Sequence, residues 1–293
     1  MFALSSQRDG GLGSKPAHGP VGGVYECGVP VYADAGEQHA GAVSGGAGEG
    51  PGGAGTAVVG MEQLTDLPGL QRWPSLSPDG RQLLYDTEDG GDLDVFLQRV
   101  GGEKAINLTA ESPDDDFAAV FSPDGERIAF CSTREEGGIF VMGATGESPH
   151  RVTDGGFHPA WSPDGTRLVY TTERLFDAYG RSTTAQLWLV DVDTGETTLL
   201  HDGDAVAPAW SPDGKTIAYW SDKSGEFEIY LQDLSGKERK LTNRGKGYGY
   251  RLYWSPDSSR LAFIDETNWI QLIDIASGKI TKVAHTKWNV GHW

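Results

Sequence analysis

Cysteine is scarce in this chain: Cys27 and Cys131 are the only two. One lies in a glycine-rich lead and the other at the end of an apolar strand pattern, so they read as two unrelated thiols and exclude a disulfide framework. Long hydrophobic runs are also missing. No stretch of about 18 apolar residues occurs, which excludes a transmembrane helix and membrane insertion by that route. The opening residues Met1 to Arg8 do not lead into an apolar segment with a small-residue cleavage site. From this start the expectation is a cytoplasmic protein, or a periplasmic or exported one if the native start lies elsewhere. Positive charge is in deficit, with 24 Lys and Arg against 42 Asp and Glu for a net charge of -18. That balance excludes nonspecific binding to nucleic acid or to an anionic membrane surface.

Catalytic signatures are equally sparse. There is no Gly-X-Ser-X-Gly elbow, no His-Glu-X-X-His pair and no phosphate-binding glycine loop with its lysine. His150, His158, His201 and His285 are scattered and lack zinc-site spacing. The sequence therefore gives no reason to expect a catalytic residue, a resident metal or another cofactor, and points away from an enzyme.

What the chain has in abundance is glycine, and its distribution divides the sequence. Residues 1–60 hold 17 of the 42 glycines and show no sustained period of 2 or 3.6. Each glycine adds to the entropy of fixing the backbone, so this part is expected to be a flexible N-terminal segment. Residues 61–293 form the second region, and they are repetitive. Ser77-Pro78-Asp79-Gly80 recurs at Ser122, Ser162 and Ser211, and as Ser255-Pro256-Asp257-Ser258, at intervals of 45, 40, 49 and 44 residues. This is the repeat length of four-stranded propeller blades. Proline presets φ at the second turn position, serine and aspartate satisfy local donors, and glycine accepts the left-handed conformation. Ser258 breaks the rule at roughly 1 kcal/mol, and its turn is expected to be looser.

The flanks of the tetrad are periodic too. Leu76, Phe121, Trp161, Trp210 and Trp254 precede the serines. After each tetrad come three short apolar stretches separated by turn residues, as in Arg127–Phe130, Ile139–Met142 and His150–Thr153. The fold class expected is all-β: a β-propeller of four-stranded blades, five of them substantially complete. The large aromatics are expected to pack between blades. Gln63-Leu64-Thr65 resembles a last strand and is expected to close the ring from the N-terminal side. Trp293 stands where the residue before a sixth tetrad would fall, so the phase suggests a six- or seven-bladed ring interrupted at the C-terminus.

These five phased copies resemble the WD40-like PD40 repeat of the TolB-type propeller family, and the likeness covers nearly all of 61–293. The stretch Trp220-Ser221-Asp222-Lys223-Ser224-Gly225-Glu226-Phe227-Glu228-Ile229-Tyr230 is especially similar to that family. From Arg251 to Trp293 the sequence also resembles propellers of tricorn-type serine peptidases. The first resemblance implies a noncatalytic scaffold that binds proteins. The second implies a substrate-gating portion of a tricorn-type or prolyl-oligopeptidase-like hydrolase whose catalytic domain is absent here.

Normal blade connectivity puts the loops from strand 4 to the next strand 1 on the same face as the loops from strand 2 to strand 3. Asp86, Asp154, Asp202, Asp204 and Asp265 fall on that face beside the triplet Asp114, Asp115 and Asp116, and with Asp222 they make it acidic. Such a face attracts a cationic protein or peptide, or a hard cation, for which the triplet is the local candidate. The longest repeat interval comes from an extension over Thr172–Gln186 with Arg174, Phe176, Tyr179 and Arg181, a mixture suited to partner contact. Solvation of the face and a tolerated surface excursion are the plain alternatives.

Overall fold

The computed structural model describes residues 2–4, 61–65, 70–174, 185–245, 247–249 and 251–285. Most of the glycine-rich lead, Phe176, Tyr179, Arg181 and Trp293 thus lie outside the described residues. Phe2–Leu4 (β1) pairs antiparallel with Met61–Gln63 (β2). Twenty further strands form five four-stranded antiparallel sheets, each a simple meander, arranged as a five-bladed propeller. Blade 1 comprises Arg72–Leu76 (β3), Gln82–Asp89 (β4), Asp92–Arg99 (β5) and Ala105–Asn107 (β6). Blade 2 comprises Asp116–Phe121 (β7), Arg127–Ser132 (β8), Gly138–Gly143 (β9) and His150–Arg151 (β10). Blade 3 follows with Phe157–Trp161 (β11), Arg167–Thr171 (β12), Leu187–Asp191 (β13) and Thr197–His201 (β14). Blade 4 has Val206–Trp210 (β15), Thr216–Ser221 (β16), Glu228–Asp233 (β17) and Glu238–Lys240 (β18). Tyr253–Trp254 (β19), Arg260–Ile264 (β20), Trp269–Asp274 (β21) and Ile280–His285 (β22) complete blade 5.

The tetrads make the turn between the first and second strand of every blade. In blade 3 the Ser162 hydroxyl donates to Asp164 at 2.5 Å, and the same serine oxygen accepts the Arg167 N–H at 2.9 Å. The Thr166 N–H closes onto the aspartate at 3.1 Å. Hydrogen bonding from Ser162 and Thr166 holds the Asp164 carboxyl down to about 2. Gly165 adopts φ +71° and Ser258 reaches φ +58°. The looser turn expected at Ser258 is not found. Its N–H still reaches Ser255 O at 2.9 Å, and its hydroxyl oxygen accepts the Asp213 N–H of the neighbouring turn at 3.1 Å.

Alternation along each strand sends successive side chains to opposite faces, so every blade must be covered on both sides. In β8, Ile128 and Phe130 pack with Leu84, Val95 and Leu97 of blade 1, whereas Ala129 packs with Trp161 and Leu168 of blade 3. Burying a side chain the size of Phe130 contributes about 1.5–3 kcal/mol, and equivalent apolar clusters fill the other interfaces. The tryptophans before the serines belong to this packing. Trp161 Nε1 donates to Val120 O of the preceding blade at 3.3 Å, and Trp254 Nε1 to Ala209 O at 3.0 Å.

Blade 5 meets blade 1 directly. Tyr253 packs against the cluster of Leu83 and Tyr85, and Arg251 Nη1 donates to Pro74 O at 3.3 Å. The described residues therefore form a ring of five blades, where the phase of the repeats suggested an interrupted ring of six or seven. The outer-strand role expected of Gln63-Leu64-Thr65 is not taken up either. β2 pairs with β1, and the outer strand of blade 5 is β22, while Leu64 packs with Leu83 and Tyr85.

Candidate binding site at the axial mouth

The first strand of each blade lies next to the axis, and four of these strands carry the same irregularity. Trp73, Ala118, His158 and Ala207, each four residues before the tetrad serine, have φ of 49°, 55°, 55° and 48°, and the register of the strand pair shifts beside each. A non-glycine residue in this region costs about 1–2 kcal/mol, and the bulge bends the strand and re-aims its groups. Ala118 shows the consequence. Its N–H turns toward blade 1 and donates to Asp86 Oδ1 at 3.1 Å.

Around that contact, side chains from four blades converge on the face that carries the loops. Arg72 stands opposite Asp86 in the pairing of β3 and β4. Trp73 lies 4.6 Å from the His158 ring, centroid to centroid, and the Arg251 guanidinium sits over Trp73 as well, 5.2 Å from its ring centre. Arg174, at the start of the long insert, covers the Phe117 ring at 3.8 Å, and Phe117 in turn stacks with Phe157 at 6.5 Å. Cys131 is buried beneath Phe117 and Ala118.

Burial dominates the titration of the three deepest groups. It pushes the Asp86 carboxyl up to about 7, against the opposing pull of the Ala118 N–H and of Arg72, Arg251 and Arg174. It drives His158 down to about 3, helped by Arg251 and Arg174, so the imidazole is neutral at physiological pH. It raises the Cys131 thiol to about 12. Asp86 Oδ2 receives no hydrogen bond from the described residues. The arrangement joins a carboxyl that titrates near neutrality to three guanidiniums and an aromatic wall.

The residues singled out in the sequence are distributed unevenly about this centre. Arg174 is part of it; Phe176, Tyr179 and Arg181, from the same insert, lie outside the described residues. Asp115 accepts the Leu93 N–H at 3.0 Å and its own N–H donates to Thr133 Oγ1 at 3.0 Å, so it ties two loops together. Asp116 is fully buried, raised by burial, and paired with Arg134 at 2.5 Å. The Asp114 N–H donates to Ser112 Oγ at 3.2 Å. Asp222 is exposed in blade 4, its N–H donating to Asp204 Oδ2 at 3.1 Å. Among the described residues no three His, Cys, Asp or Glu side chains gather as metal ligands would. Sequence reasoning missed Arg72, Trp73, His158 and Arg251 and read Asp86 only as one more surface carboxylate. Aligning the repeats on the tetrad serine puts Trp73, His158 and Arg251 in one column, where other blades have alanine.

Comparison with known proteins agrees with this architecture. Residues 57–175 match the family model described as the TolB beta propeller domain, and residues 162–268 match that of the dipeptidyl peptidase IV N-terminal region. An uncharacterized protein of Agrobacterium fabrum is 27% identical over 75% of this chain and 78% of its own length. The Tol-Pal system protein TolB of Alcanivorax borkumensis is 29% identical over 39% of this chain, and this chain spans only 26% of its length. A TolB-type structure from Agrobacterium tumefaciens superposes with a TM-score of 0.66 at 22% identity, covering 77% of this chain and 84% of that one. The tricorn protease resembles it more distantly, with a TM-score of 0.43 at 18% identity over 78% of this chain and 27% of that one. In its blade architecture this chain is similar to TolB-type propellers, and the TolB beta propeller family model matches it over residues 57–175.

Proposed function

We propose that the chain is a noncatalytic scaffold that binds a protein or peptide across its loop face, with the axial mouth at the centre of the contact. The observation that carries this reading is the position of Arg174: the longest insert lays its guanidinium on Phe117 of the neighbouring blade. Arginine and tryptophan are the residue types on which interface energy concentrates, and Trp73, Arg251 and Arg174 are half-buried there on a rigid ring. Exposed Asp154, Asp202 and Asp222 surround them and favour basic groups at the partner's periphery. Selecting a random peptide display library against the full chain tests the reading. Selected peptides should lose about tenfold or more in affinity with Trp73→Ala or Arg174→Ala, and little with Arg81→Ala or Lys215→Ala on the opposite face. Peptides sensitive only to the latter pair overturn it.

A second reading is supported by the match of residues 162–268 to a peptidase N-terminal region. Here the propeller docks or filters substrate for a catalytic domain elsewhere. The two separate by assay of the gene product in its full natural length: peptide hydrolysis that requires this ring favours gating, and binding without turnover favours the scaffold.

A further inference from the structure

The chain carries a net charge of -18, yet the centre of its loop face has the opposite sign. Arg72 stands opposite Asp86 in the sheet register, Arg251 covers Trp73, the next residue after Arg72, and Arg174 covers Phe117, the residue before Ala118. Three guanidiniums from blade 1, blade 5 and the blade 3 insert thus surround one carboxyl. Asp86 Oδ1 is engaged by the Ala118 N–H, while Oδ2 is buried without a hydrogen bond from the described residues. A buried polar group left without a partner is costly, on the order of 1–3 kcal/mol, and a ligand that accepts from a protonated Oδ2 recovers that cost. A cation would meet three arginines on its way to Asp86. An oxyanion meets attraction from all three, provided that Asp86 carries a proton to share.

We propose that the axial mouth is an oxyanion subsite, which takes a single carboxylate of the peptide partner between Arg72, Arg174 and Arg251 and shares a proton with it through Asp86 Oδ2. This rests on the loop face being the binding face and names the partner group that occupies its centre. Guanidinium donors match carboxylate geometry in paired, charge-assisted hydrogen bonds, and Trp73 supplies a wall beside them. The groups facing Asp86 are Arg72 from β3, the Ala118 backbone from β7, Arg251 from blade 5 and Arg174 from the insert, with Cys131 and His158 close by and Asp115 near Arg174. The Cys131 thiol and the His158 imidazole stay neutral around pH 7. Asp86 is therefore the group among these that takes up a proton as the anion arrives, and binding weakens as pH rises above neutrality.

Calorimetric titration of the full chain with N-acetylated, C-amidated tetraglutamate, and separately with inorganic phosphate, tests the proposal. At slightly alkaline pH, repeated in two buffers of different ionisation enthalpy, the peptide should bind saturably with uptake approaching about one proton. Affinity should fall about tenfold in Arg251→Gln and in Arg174→Gln; the second change sits on the insert and leaves the blades intact if the first disturbs folding. Asp86→Asn should bind without proton uptake. Saturable binding of phosphate alone places a small free oxyanion in the same subsite, whereas binding of the peptide places a protein-borne carboxylate there. No saturable binding of either probe, binding indifferent to both arginine changes, or binding with proton release overturns the subsite. If the anions bind here while library-selected peptides ignore the loop face, the subsite stands and the scaffold reading fails; selected peptides that need Trp73 with no anion binding give the reverse.

Discussion

The backbone N–H of Ala118 donates to Asp86 Oδ1 across 3.1 Å, joining the first strand of blade 2 to the second strand of blade 1 beside the axis. A strained residue in one blade thereby fixes the position of an ionisable one in the next. Ala118 holds φ +55° in the middle of a strand, and Asp86 is 1% exposed. The bulge that would otherwise be a local cost is what aims the donor across the blade interface.

Asp86 and His158 should impose opposite pH dependences on stability. For Asp86 the folded pKa of about 7 lies above the ordinary aspartate value of 3.8, so the native state holds more protons between these values and stability falls as pH rises through that window. For His158 the folded value of about 3 lies below 6.5, so the unfolded state holds more protons and stability falls as pH drops through 6.5 toward 3. Each effect is at most about 4–5 kcal/mol, and between about pH 4 and 6.5 the two largely cancel. Urea unfolding across this range should show a nearly level contribution in the parent, a rise with pH in Asp86→Asn, and a fall with pH in His158→Asn. Identical slopes in all three chains would remove burial as the cause.

The blades were legible in the sequence because each tetrad carries its own physics: a proline for φ, a serine and an aspartate for the local donors, a glycine for the left-handed residue. Those instructions are complete within four residues and recur in phase. The axial mouth was not legible in the same way. Asp86 is followed by Thr87 and Glu88 and looks like the polar end of a strand, yet it is buried and its hydrogen-bond partner is Ala118 of the next blade, more than thirty residues away. Arg72 and Arg251 meet around Trp73 only because the ring closes between blades 1 and 5. The repeat phase ending at Trp293 favoured a larger ring, since the interval between tetrads sets blade length and says nothing of the angle between blades. Arg174 was legible from the excess length of its repeat, though not the direction in which it reaches.

Ser258 offers a test of how the turns cooperate. Replacement by glycine relieves a left-handed conformation worth roughly 1 kcal/mol but deletes the oxygen that accepts the Asp213 N–H at 3.1 Å. Replacement by alanine deletes the oxygen and keeps the strain. Ser258→Gly should therefore leave stability within about 0.5 kcal/mol of the parent, whereas Ser258→Ala should lose about 1 kcal/mol. Equal losses in chemical denaturation would show that the left-handed conformation carries no cost, and no loss in Ser258→Ala would show that the contact between neighbouring turns contributes nothing.

The threonines that end the outer strands should differ in importance. Thr153 Oγ1 accepts the Ile139 N–H at 3.0 Å and donates to Gly155 O at 2.6 Å. Thr242 Oγ1 accepts the Ile229 N–H at 2.9 Å and donates at 2.5 Å to Glu228, a carboxylate 1% exposed that also takes the Arg244 N–H. Valine keeps the shape and removes the hydroxyl. Thr153→Val should cost about 1–2 kcal/mol and Thr242→Val about 2–3 kcal/mol, because the latter strips a donor from a buried charge. Denaturant midpoints giving the reverse order would mean that Glu228 is satisfied by its backbone donors and Lys240 alone.

Cys131 reports on the opening of the axial mouth from below. Its thiol is 1% exposed, packed under Phe117 and Ala118, and raised to about 12 by burial. Only the thiolate attacks a disulfide reagent, and at pH 8 a thiol of that pKa is ionised to about one part in 10⁴. Labelling must therefore wait for the first strand of blade 2 to lift away, which breaks the Ala118 to Asp86 contact at the same time. In a Cys27→Ser chain, modification of the remaining thiol should run at least about 10³-fold slower in the folded protein than in denaturant. Asp86→Ala, which removes the acceptor of the Ala118 N–H, should speed it with little change at Ser258→Ala on the far face. Rapid labelling of the folded parent, or acceleration by the Ser258 change alone, would show that the thiol is reached by a route other than the opening of this strand.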